Sequence, residues 1–152
     1  MRIERFEDIE GWKQARVLAG MVYAAARRAR FARDFGLQDQ IRRACVSVML
    51  NVAEGFDSGS NVEFVKFLRY AQRSCTEVQS ALYVALDQEY VSEEEFDDLY
   101  KQAQITRAII GGFIKYLLKN DRRRPAPLSE ALATGNQERD EGASNQEPRT
   151  KN

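Results

Sequence analysis

Over residues 1–120 the apolar positions recur at intervals of three and four, and strict alternation is nearly absent, so the pattern predicts helices and almost no strand. A first helix is expected over residues 9–32, with Trp12, Ala15, Ala19, Val22 and Ala26 on one face. A second is expected over residues 37–55, begun after Gly36 and broken by Gly55, Ser58 and Gly59. Ser60 and Glu63 form a capping-box pattern that opens a third helix, whose stripe runs Phe64, Leu68, Ala71, Cys75, Val78, Leu82, Ala85. Ser92 and Glu95 repeat that signal before a fourth, and Glu93, Glu94, Asp97 and Asp98 suit the positive end of its dipole.

Two departures from simple amphipathicity stand out. Residues 37–55 are apolar over most of the helix circumference, yet Gln40, Arg43, Ser47, Asn51 and Glu54 form a polar row on one side. Polar groups on a buried helix are costly unless each finds a partner, so the row specifies a register, an assembly or a binding site. Tyr70, Ser74 and Glu77 lie along one side of the third helix, and facing rows predict a shared hydrogen-bond network with Arg43 or Arg73 balancing Glu54 and Glu77. The fourth helix carries two apolar rows: Phe96, Leu99, Ala103, Ile110, Phe113 and Leu117, then Ile105, Ile109, Gly112 and Tyr116. One face suffices for a monomeric bundle, so the second row predicts burial against another subunit, with Gly111 and Gly112 permitting close backbone approach or a kink.

The character changes near the end. Residues 121–152 are rich in Arg, Pro, Glu, Gln, Asn, Ser and Thr and predict a disordered polar tail after a bundle domain of residues 1–120. No run fits a signal peptide or a membrane span, which predicts a cytoplasmic protein with no membrane partner.

Composition narrows the chemistry. The chain has no histidine, which removes Ser-His-Asp and Cys-His catalysis, Cys/His zinc sites and histidine-ligated haem. Cys45 and Cys75 stand apart among apolar helical residues and read as small core residues. Glu54 and Glu77 as an acid/base or metal pair would lack a third ligand and a nucleophile, so no catalytic residue, metal or cofactor is expected. Basic and acidic residues number 23 each and cancel, but their distribution does not. Arg27, Arg28, Arg30 and Arg33 are expected to close the first helix and Arg42 and Arg43 to begin the second, which in an antiparallel hairpin makes one basic corner. Such a corner is either a solvated face whose arginines suit the negative end of the helix dipole, or a site that neutralises phosphates and binds RNA or DNA without reading sequence.

The order Phe6-x-x-Ile9-x-x-Trp12-x-x-Ala15, then Gly36-Leu37-x-x-Gln40-Ile41-Arg42-Arg43-Ala44, then Ser47-x-x-x-Asn51-Val52-Ala53-Glu54-Gly55, resembles the bacterial four-helix-bundle family also called 23S rRNA intervening-sequence proteins. Glu63-Phe64, Phe67-Leu68, Ala71 and Ser74-x-x-Glu77 fit the same pattern. The resemblance implies an all-α, antiparallel up-down four-helix bundle assembled as a homopentamer. It also implies kinship with the accessory variability determinant of diversity-generating retroelements, a basic pentamer that binds nucleic acid and a reverse transcriptase. Val48-Met49 stands where many members have Ile-Pro, so no proline kink is expected; the tail is longer and the charge balance more neutral than the resemblance implies.

Together these features point to a non-enzymatic oligomer that binds or scaffolds, with RNA or DNA at the arginine corner and a reverse transcriptase as a further partner. The alternative is a protein-interaction module without nucleic-acid affinity.

Overall fold

The computed structural model describes residues 3–121, and among them there are four long helices and no strand. A short 3-10 turn, Phe6–Asp8, leads into α1, Glu10–Ala26. α2 spans Phe35–Asp57, α3 Asn61–Asp87 and α4 Glu93–Asp121. The segment expected as a polar tail lies, from residue 122 on, outside the described residues.

The first helix stops at Ala26 rather than at residue 32. Ala29 turns the chain in the left-handed region (φ 41°), and Phe31 then buries itself in a second 3-10 turn, stacked 5.3 Å from the Tyr90 ring. The Gln38 side chain donates to the freed carbonyl of Ala26 at 2.8 Å, satisfying one orphan acceptor of the helix end. Consequently Arg27, Arg28, Arg30 and Arg33 do not close a helix; they occupy the connection between α1 and α2. α2 begins before Gly36, because Asp34 Oδ1 accepts from the Leu37 N–H at 3.0 Å and caps it. It runs without a proline kink through Gly55, where a break was expected, to Asp57.

Ser60 caps α3 by accepting from the Glu63 N–H at 3.2 Å, but the Glu63 carboxylate pairs with Lys66 at 3.6 Å and does not close the box. The box at α4 is complete: Glu95 N–H donates to Ser92 Oγ and Ser92 N–H to the Glu95 carboxylate.

α2 packs most extensively on α3, α3 on α4, and α1 against both α2 and α4. All seven positions of the α3 stripe are buried. The core divides into one cluster around Leu18, Val22, Phe31, Ile41 and Leu82, and another around Val48, Val52, Leu68, Ile110 and Leu117. Glycine matters where helices touch. A Cβ on Gly55 would stand 2.6 Å from the Phe64 ring and 3.0 Å from Phe67 Cβ, so α3 side chains pack directly on the α2 backbone at a residue that the sequence reads as a break.

Candidate functional site

The polar row of α2 divides into an inner and an outer part. Ser47 and Ser74 meet across the α2–α3 seam with their hydroxyl oxygens 2.9 Å apart. Asn51 Nδ2 donates to Ser47 Oγ at 3.0 Å and to the Ser47 carbonyl at 2.8 Å. Ser74 is buried, whereas Ser47 and Asn51 are half-buried, so the network closes the flank of the seam. These three residues are the part of the expected network that the fold assembles.

The rest does not join it. Gln40, Glu54 and Glu77 are exposed and make no side-chain hydrogen bond or ion pair among the described residues. Arg43 pairs with Asp39 at 2.7 Å, one turn earlier on its own helix, and Arg73 lies over the Tyr70 ring at 5.6 Å. Neither arginine balances a glutamate across the seam. The reason is reach: a serine hydroxyl lies close to the backbone and is held at the seam, while a long carboxylate side chain on the rim is better solvated.

The arginine corner is also less uniform than its sequence. Arg28 donates to Glu95 at 2.6 Å, joining the corner to the start of α4 and holding the Glu95 carboxyl below its ordinary range. Arg42 is half-buried with its guanidinium 4.5 Å from the Tyr23 ring centroid, and its Nε is buried without a hydrogen-bond partner. Arg30 lies 5.7 Å from the Tyr90 ring, and the Tyr90 hydroxyl donates to Asp34 at 3.0 Å, which raises the phenol above its usual range. Arg27 and Arg33 have no carboxylate partner among the described residues. Two concavities flank this corner. One, of about 650 Å³, is lined by Arg30, Arg33, Asp34, Phe35, Gly36 and Tyr90. The other, about 410 Å³, has an apolar floor of Met21, Ala24, Ala25 and Leu99 between Arg27 and Arg28 on one wall and Glu95 and Asp98 on the other.

Asp34, Tyr23 and Tyr90 are the participants that sequence reasoning missed, and Glu95 is one that it read only as a cap. Asp34 carried a usable signal, since an Asp immediately before a helix caps it by accepting from the N–H two or three residues on. The cysteines contribute no reactive group: burial pushes the Cys45 thiol up to about 11 and the Cys75 thiol up to about 12. Among the described residues no three His, Cys, Asp or Glu side chains converge as a metal site, and no helix is long and apolar enough to cross a membrane.

Among the described residues the chain is all-α, with four long helices and a serine–asparagine contact between the second and third. Residues 7–112 match the family described as 23S rRNA-intervening sequence protein, and the chain belongs to that family. A solved structure is similar in fold: a protein of unknown function from the S23 ribosomal protein family of Bacteroides thetaiotaomicron, with a TM-score of 0.64 and 19% identity over 69% of this chain and 95% of that one. No curated protein matches. Neither the family nor that structure is described as an enzyme.

Proposed function

We propose that this chain is a non-enzymatic, antiparallel up-down bundle that works as a cytoplasmic homo-oligomer, a binding or scaffold protein whose corner arginines hold RNA or DNA by its phosphates. The single observation that carries it is the placement of Arg27, Arg30 and Arg33: exposed, without an ion pair among the described residues, and grouped in one inter-helix connection. Arg42 and Arg43, engaged with Tyr23 and Asp39, have the smaller part. The up-down course is supported by contacts such as Ser47 with Ser74 and Gln14 with Gln102. The family resemblance makes five copies the proposed stoichiometry. A reverse-transcriptase gene beside this one would extend the proposal to that enzyme as a partner.

The test is fluorescence anisotropy of labelled single-stranded RNA and DNA of unrelated sequence. Binding at about 50 mM salt that falls by about tenfold or more at about 200 mM, and is lost in Arg27→Glu/Arg33→Glu, is the expected result. No binding at about 50 mM salt overturns it. Light scattering of the same samples tests the assembly, and a monomer overturns that part. The second reading, a protein-interaction module without nucleic-acid affinity, is favoured by the carboxylates of Asp34, Asp39 and Glu95 within the same corner.

A further inference from the structure

The outward face of α4 meets nothing within the described residues. Ile105 is 39% exposed and Tyr116 59%, Ala108 is exposed, and a Cβ built on Gly112 finds no atom within 4 Å. This apolar centre is bracketed by charge. Glu94, Asp97 and Asp98 lie exposed toward the start of the helix, and Lys115 and Lys119 toward its end. None of the five forms an ion pair among the described residues.

The charges at the two ends of the face are symmetric about one point. The midpoint between Glu94 and Lys119 falls between Thr106 and Arg107, and so does the midpoint between Asp98 and Lys115. Reversing the helix about that point sets Ile105 opposite Ala108, Lys101 opposite the open Gly112, and Asp97 opposite Tyr116. The helix dipole accounts for acid at one end and base at the other, but it does not require the two pairs to share a centre that Ile105 and Ala108 also straddle. An unpartnered face that is complementary in charge to its own reversed copy fits a second molecule of the same chain.

We infer that α4 is a docking surface for a second copy, joined antiparallel across a two-fold axis near Thr106 and Arg107. Asp98 of one copy then meets Lys115 of the other, twice per pair, and Glu94 meets Lys119 likewise, over a face about 37 Å long. Ala108 and Gly112 let the backbones approach to about 8 Å. The inference rests on the self-assembly part of the proposed function and goes beyond it. A ring closed by rotation alone uses head-to-tail contacts, whereas this contact is isologous and would link copies of different rings.

The experiment uses the full chain. Asp98→Lys and Lys115→Asp should each weaken self-association about tenfold at about 50 mM salt in sedimentation equilibrium, because two attractive pairs become repulsive. The combined Asp98→Lys/Lys115→Asp variant should return to near the wild-type value, which a merely damaged fold would not do. Ala108→Cys with a short bis-maleimide should yield dimers on denaturing gels; Cys45 and Cys75 stay silent because both are fully buried. An oligomer indifferent to both charge reversals and to the crosslinker overturns the α4 contact while leaving the assembly reading standing. A chain that stays monomeric overturns both and leaves the face to a foreign partner; RNA binding, measured on Arg27 and Arg33, is scored separately.

Discussion

The α2–α3 seam and the outward face of α4 are opposite kinds of exception to the same rule. In the seam, polar side chains interrupt an apolar helix; on α4, apolar side chains interrupt a polar face. The seam answers its exception within the chain, through Ser47, Asn51 and Ser74. The α4 face has no such answer among the described residues, and Ile105, Gly112 and Tyr116 stay open. The difference teaches where to look for partners. A pattern violation that the neighbouring helix satisfies belongs to folding, and one left unsatisfied belongs to association.

Substitutions test that contrast. The largest expected effect is Gly55→Leu, which drives a side chain into Phe64 and Phe67 where even a Cβ is too close. We expect a loss of about 3 kcal/mol in urea unfolding, by overpacking. Gly112→Ala on the open side of α4 should act in the other direction, raising stability by about 1 kcal/mol through helix propensity while weakening self-association. A chain destabilised by that change would mean the α4 face is already occupied within the molecule. Ser47→Ala and Ser74→Ala should each cost about 1 kcal/mol, and a double-mutant cycle should return most of one hydrogen bond as coupling. Additive losses would show that the two hydroxyls do not speak to each other in solution. Smallest of all, Glu54→Gln and Glu77→Gln should leave the unfolding midpoint within about 0.5 kcal/mol, since both are exposed rim residues. A larger loss from either would bring the glutamates back into the seam.

Legibility in the sequence followed periodicity and failed at single residues. The α3 stripe from Phe64 to Ala85 was readable because every fourth or third position repeats one demand, burial, and all seven positions obey it. The outward placement of Ile105, Gly112 and Tyr116 was readable for the same reason. The end of α1 was not, because Ala26 to Ala32 contains no residue that opposes helix; what stops it is tertiary, the burial of Phe31 beside Tyr90. The network was half legible. Spacing put Glu54 and Glu77 in the same rows as Ser47 and Ser74, but spacing carries no information about side-chain length, and only the short groups remain at the seam. Likewise, the six corner arginines formed one group in sequence, while Glu95, Asp39 and Tyr23 divide them in space.

The two connections at residues 29 and 89 reverse the chain with an alanine and a glutamate in the left-handed region, at φ 41° and 56°. Glycine holds that conformation with about 1 kcal/mol less strain than an L side chain. Ala29→Gly and Glu89→Gly are therefore expected to stabilise the fold by about that amount, read as a rise in the urea-unfolding midpoint. Of the two, Ala29 lies among the corner arginines. A gain there would come without altering any of those charges, and would leave the register of the helices behind them unchanged.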